Sequence, residues 1–315
     1  MTNNRQGINP TVNSSVSDSA AGEVTAKSMT LADWLARSSL RLSASNSELA
    51  LSNAVAYARL LAAKILGFPK ARLMAHPEMY ITPGQLADLE ASLERLLAGE
   101  ALPYVLGEWE FYGHRFTVSP QTLIPRPETE LIIGCVLSWA KGHGIRRVVD
   151  VGTGSVCIAV TLALALPDAH ITATDISQTA LQVAQSNMFR YGVQRQVDLV
   201  QGDLLGAFAP SSFDVICANL PYIPSERLSH LAVAQREPRL ALDGGPDGLD
   251  LIARLIPQAA RLLIPGGLAL LEIDDTHTEA VLELAGQAFP GRAQVLNDYQ
   301  GKPRLLRLEK CGEQG

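Results

Sequence analysis

Arg146-Arg147-Val148-Val149-Asp150-Val151-Gly152-Thr153-Gly154-Ser155 is the stretch whose reading decides the fold. Arg146 to Val151 reads as a buried strand with Asp150 near its end. Glycines at 152 and 154 let the backbone turn tightly and approach a ligand closely. A helix then runs through Leu166, and its free N-terminal N–H groups can hold a carboxylate. Strand, glycine turn and helix in this order predict an open α/β sheet that binds its ligand at the carboxyl edge.

After Pro167, His170 to Thr174 forms a second strand ending at Asp175, about twenty residues past Gly152, where an acid can accept from ribose hydroxyls. A third strand, Val197 to Gln201, leads into Gly202-Asp203-Leu204. Asp203 is placed to accept from an adenine amino group, and Leu204 to cover the ring. Cys157 stands where a dinucleotide fingerprint needs its last glycine. The order of these features fits S-adenosylmethionine better than a dinucleotide.

The next apolar run, Phe213 to Ala218, delivers Asn219-Leu220-Pro221-Tyr222 to the same edge. Asn219 offers a side-chain carbonyl and Leu220 a backbone carbonyl. Pro221 restricts Leu220 to extended angles and fixes its own φ. Tyr222 supplies a flat, partly polar wall. Such a pocket suits a planar amide or amino group with two N–H donors, which points to a nitrogen methyltransferase. The same four residues also suit an ordinary strand-to-loop turn.

Residues 223–248 show little periodicity, and their glycines suit a flap over the substrate. A helix from Leu249 to Leu263, kinked at Pro257, should end at Pro265-Gly266-Gly267. A strand Leu268 to Ile273, a helix Thr278 to Ala288 and a terminal hairpin complete the sheet.

Upstream, Thr30 caps an expected helix from Leu31 to Leu42, and a second runs from Ser47 to Leu66. Thr82-Pro83 opens a third that ends at Gly99. The aromatic, glycine-punctuated stretch Tyr104 to Val118 suggests a β-hairpin. In Leu123-Ile124-Pro125-Arg126-Pro127-Glu128-Thr129-Glu130, Pro127 pushes Arg126 to extended angles, and the acids open a helix where its dipole favours them. The expected organisation is therefore a disordered leader (1–28), a helical domain (29–100), a hairpin linker (101–122) and a cofactor-binding domain (123–315).

With 47% hydrophobic and 18% charged residues the chain supports a sizeable core. A net charge of -6 without a basic tract argues against strong nucleic-acid binding. Cys135, Cys157, Cys217 and Cys311 show no metal-ligand spacing, so no structural metal and a cytoplasmic setting are expected. No apolar run reaches spanning length, so no membrane partner is expected.

Together these stretches resemble the HemK/PrmC family, the glutamine-N5 methyltransferases of class I peptide release factors. The resemblance runs from about Leu60 to Leu308. It is carried by Pro103 to Gly107, Ile124 to Glu130, Asp150 to Ser155, Asn219 to Ile223, and Glu237-Pro238-Arg239-Leu240-Ala241-Leu242-Asp243-Gly244-Gly245. It implies a class I S-adenosylmethionine-dependent methyltransferase, with a Rossmann-like seven-stranded sheet and a small N-terminal helical domain that helps grip the release factor. The catalytic set it implies is Asn219, Leu220, Pro221 and Tyr222. The cofactor set is Gly152, Thr153, Gly154, Ser155, Val156, Asp175, Asp203, Leu204 and Asn219.

The chain departs from the family at Leu220, where proline is usual, and at Val156, where glycine is usual. Asp274 and His277 replace a glycine and a glutamine. Val156 is expected to crowd the methionine end of the cofactor, which would reduce activity or shift the substrate. Two other readings stay open. Asn-Leu-Pro-Tyr also resembles the rRNA adenine dimethylases, which implies adenine-N6 methylation of RNA or DNA. A weakly active homologue that only binds a translation factor is the third.

Overall fold

The computed structural model describes residues 29–45 and 48–312; the expected leader and Ser47 lie outside the described residues. Helices α1 (Leu31–Ala44), α2 (Glu48–Leu66), α3 (Lys70–Ala75), α4 (Pro83–Leu97) and α5 (Leu102–Leu106) come first. The Thr30 hydroxyl accepts from Asp33 N at the start of α1, and Thr82 with Gln85 forms a reciprocal capping box on α4. Trp34, Leu61, Leu89 and Leu93 are fully buried in a core of their own, which Leu102, Val105 and Leu106 join.

Two helices depart from expectation. No helix is expected at Lys70–Ala75, and Leu102–Leu106 falls in the stretch expected to be the hairpin linker. Helices of five or six residues span too few turns to display an apolar period. The hairpin is confined to β1 (Glu108–Phe111) and β2 (His114–Thr117). Glu108 ties it to its surroundings by accepting from Lys64 of α2 and from Arg190, and pairs within the hairpin with Arg115.

The main sheet holds β3 (Arg147–Val151), β4 (His170–Asp175), β5 (Val197–Gln201), β6 (Phe213–Ala218), β7 (Leu263–Glu272), β8 (Ala293–Asn297) and β9 (Pro303–Glu309). Its spatial order is β5-β4-β3-β6-β7-β9-β8, parallel from β5 to β7, with β9 antiparallel to both neighbours. Strands buried on both faces read as continuous apolar runs, as β6 does. Helices α6 (Glu130–Ala140), α7 (Cys157–Ala165) and α8 (Gln178–Tyr191) pack on one face. After the short α9 (Ser225–Ser229), α10 (Asp250–Leu262) and α11 (Thr278–Ala288) cover the other.

Strand β7 starts five residues earlier than its apolar run suggests. Pro265-Gly266-Gly267 lies inside it instead of ending the preceding helix. The backbone there is paired: Leu263 sits opposite Phe213, Gly266 N donates to Lys310 O, and Lys310 N donates to Gly267 O. A Cβ at 267 would stand 3.0 Å from both Asp214 O and Ile264 O, tighter than ordinary contact, so glycine lets β7 lie close beside β6.

Because β4 lies to one side of β3 and β6 to the other, the order reverses between β3 and β6. A crevice at the carboxyl ends of such a pair is where open α/β sheets bind ligands. The glycine turn after β3 and Asn219 after β6 flank that crevice.

Candidate active site

A cavity of about 430 Å3 opens at this switch point, a size ordinary for small-molecule sites. The turn after β3 forms one wall. Gly152 and Gly154 have φ of 71 and 54, the left-handed region that favours glycine. Thr153 N donates to Thr174 O at 2.8 Å, and Gly154 N donates to Asp175 Oδ2 at 2.9 Å. Asn187 of α8 steadies the turn from behind, donating from Nδ2 to Ser155 O and to Thr117 O.

Asp150 lies beneath the turn. Its Oδ2 accepts from the Thr153 hydroxyl at 2.5 Å, while Oδ1 is buried without a partner among the described residues. Burial pushes its carboxyl up to about 7.

The far wall carries Asp175, Ile176, Ser177, Asp203 and Leu204. Asp175 Oδ1 also accepts from Ser177 N, so both oxygens are held by backbone and the carboxylate is aimed. Asp203 Oδ2 accepts from Arg254 at 2.6 Å, so a cation already shares the carboxylate expected to take an adenine amine. These residues fit S-adenosylmethionine: a turn in which Gly152 and Gly154 carry no side chain, an oriented acid after β4 and an apolar cover at Leu204.

Asn219, Leu220 and Pro221 line the same cavity. The Asn219 Nδ2 donates to the Thr129 hydroxyl at 2.8 Å, leaving Oδ1 for a ligand. Leu220 is buried against Gly152. Behind them the loop at 242–248 braces the backbone. Ile223 N donates to Leu242 O and Gly244 N to Ile223 O. A Cβ at 244 would lie 2.8 Å from Pro221 O, and one at 248 would lie 2.3 Å from Tyr222 O. These glycines are there because two backbones touch. The expected flap therefore begins as a brace, and it continues over the cavity with Pro238, Leu240 and Ala241.

Arg126, which a capped helix start left unexplained, pairs with the buried Glu237 at 2.5 Å. Glu237 also accepts from Ile124 N at 3.0 Å, fastening the segment before α6 to the flap.

Two members of the expected site lie outside the cavity lining. Val156 has a fully buried side chain packed in the core with α6 and α7, away from the cavity it was expected to crowd. Its cost is in the backbone, at φ 64. Tyr222 does not form the expected wall: its hydroxyl donates to Glu272 Oε1 at 3.2 Å, behind the pocket. Burial pushes the Tyr222 hydroxyl up. Asp274 and His277 likewise stand apart from the cavity. Asp274 pairs with Arg227 of α9, and His277 is buried beside Gly248.

Thr129 and Glu272 were passed over in the sequence. Both are buried, and the Thr129 hydroxyl donates to Glu272 Oε2 at 2.7 Å. The available signal was a lone carboxylate closing the apolar run Leu268 to Ile273, because an acid is seldom buried unless it has partners.

Known proteins similar to this chain are release factor methyltransferases in sequence and methyltransferases in fold. Residues 33–107 match the family described as PrmC N-terminal domain, and residues 130–239 match Methyltransferase small domain. The Release factor glutamine methyltransferase of Moorella thermoacetica is 42% identical over 79% of this chain and 90% of its own length. That of Bordetella pertussis is 40% identical over 79% and 92%. Among solved structures, the hMettl16 catalytic domain in complex with MAT2A 3'UTR hairpin 1 aligns with a TM-score of 0.52 at 16% identity. That alignment covers 74% of this chain and 82% of that one, a likeness of fold alone.

Proposed function

The chain belongs to the release factor glutamine methyltransferase family, and from that premise we infer that it methylates N5 of a glutamine side chain in a class I peptide chain release factor. S-adenosylmethionine is the methyl donor. The observation that carries the reading is Asn219, held at the end of β6 with Nδ2 tied back to Thr129, in a cavity shared with the glycine turn.

An amide nitrogen is a poor nucleophile because its lone pair is delocalised. When bound, S-adenosylmethionine supplies a methyl group made electrophilic by the sulfonium. Gly152, Gly154, Asp175 and Leu204 would hold it. Asn219 Oδ1 and the Leu220 carbonyl would accept the two amide N–H groups and aim the nitrogen. Orientation of this kind is worth several orders of magnitude in rate. Leu220 keeps the carbonyl that proline would offer, so the substitution leaves this acceptor in place. As the nitrogen bonds the methyl carbon the carbon–sulfur bond breaks, and the methylated amide then releases one of its N–H protons; an apolar site suits the loss of charge on sulfur.

The helical unit, residues 29–100, is the proposed substrate-recognition domain. No helix among the described residues is long and apolar enough to cross a membrane.

Transfer of labelled methyl from S-adenosylmethionine to a purified release factor tests the reading, beside an rRNA arm. Label on the factor, lost when its accepting glutamine is replaced by alanine, is expected. Label on rRNA adenine alone would reassign the enzyme, and binding without transfer would leave a translation-factor partner.

A further inference from the structure

Asn219 presents two ends of similar shape and opposite hydrogen-bonding character. Only the carbonyl end can accept from a substrate amide, so something must decide which end faces the cavity. The hydrogen bonds behind Asn219 make that decision. Thr129 Oγ1 has a single proton, and it lies 2.7 Å from Glu272 Oε2. Burial raises the Glu272 pKa, but in its ionised form the carboxylate only accepts, so the Thr129 proton then points to Glu272. The same oxygen then has only lone pairs to offer Asn219, 2.8 Å away, and its partner there must be Nδ2. Glu272 Oε1 meanwhile accepts from Tyr222. Three elements contribute: Glu272 ends β7, Thr129 precedes α6, and Asn219 follows β6. Glu272 is 1% exposed and Thr129 2%, so water does not compete for either.

We propose that Thr129 and Glu272 are positioning residues: their one-way chain of hydrogen bonds locks the Asn219 carbonyl toward the substrate amide. The catalytic role of Asn219 rests on the glutamine methyltransferase reading, whereas the orientation of its amide does not. The pair also explains a carboxylate that costs folding free energy by being buried.

The test uses the full chain with Thr129→Val, which keeps the shape and removes the hydroxyl, and Thr129→Ser, which keeps the hydroxyl. Two readouts are taken: kcat and KM for methyl transfer to release factor, and the 15N side-chain amide resonance of Asn219, identified by its absence in N219D. T129V should lose roughly 10- to 100-fold in kcat with KM for S-adenosylmethionine unchanged, the scale of a misplaced reacting group. T129S should recover most of that loss. The Asn219 resonance should move in T129V and stay in T129S. A wild-type kcat with an unmoved resonance in T129V, or equal losses in T129V and T129S, would overturn the proposal. Should T129V fail to fold, Glu272→Gln answers the same question: a lowered kcat without a lowered Tm supports the chain, and an unchanged kcat overturns it. If the wild type transfers no methyl to release factor, the functional reading fails while the resonance comparison still decides the orientation.

Discussion

Gly152, at the end of β3, and Leu220, just past β6, touch across the switch point: a Cβ on Gly152 would lie 2.9 Å from Leu220 Cδ2. The cofactor turn and the substrate loop are thus packed on one another, and a change in either is felt in both. Gly152→Ala adds a clash and places a side chain at φ 71. It should weaken binding of S-adenosylhomocysteine by about tenfold or more, measured by calorimetry. The struck atom is the far end of a flexible side chain, so adding Leu220→Ala should restore part of the affinity. Additive losses in the double variant would mean that the contact carries no coupling.

Val156 poses a different balance. A β-branched residue in the left-handed region costs about 1–2 kcal/mol, and its buried methyl groups return a similar amount. Val156→Gly should therefore leave stability within about 1 kcal/mol of wild type. Val156→Ala keeps the strain and loses the methyls, so it should be the less stable of the two by about 1 kcal/mol. Urea unfolding decides it, and an alanine variant at least as stable as the glycine one would contradict the account.

Asp150 sets a pH dependence. Burial raises its folded pKa to about 7 from 3.8, so the folded state holds a proton that the unfolded chain has released. Stability from this group is therefore full below about pH 4, falls as pH rises toward 7 and is flat above, at up to about 1.4 kcal/mol per pKa unit. Burial raises Glu272 as well, which acts in the same sense. Unfolding free energy should drop between pH 5 and 7.5 in the wild type and drop less in Asp150→Asn. Equal slopes would remove Asp150 as the source.

Much of this was legible in the sequence because the β3 and β6 runs are apolar on both faces and end abruptly. The turn at Gly152, the acid at Asp175 and the amide at Asn219 all sit where strand ends put them, and local pattern locates strand ends. What stayed hidden depends on contacts between distant segments. Glu237 and Arg126 are more than a hundred positions apart and meet only in the fold. Thr129 looked like part of a helix start, and Glu272 like one residue of a strand, because neither shows its partner locally. Val156 misled for the opposite reason. Its position in the turn suggested a side chain in the cavity, whereas the left-handed backbone sends that side chain into the core.

The central claim is that Asn219 orients the accepting amide without being needed to hold the donor. Asn219→Ala, assayed for single-turnover methyl transfer to release factor and, in the same preparation, for S-adenosylhomocysteine binding by calorimetry, tests this most directly. The account predicts transfer reduced by at least about a hundredfold with binding within about threefold of wild type. Transfer at the wild-type rate, or loss of binding equal to the loss of transfer, would contradict it.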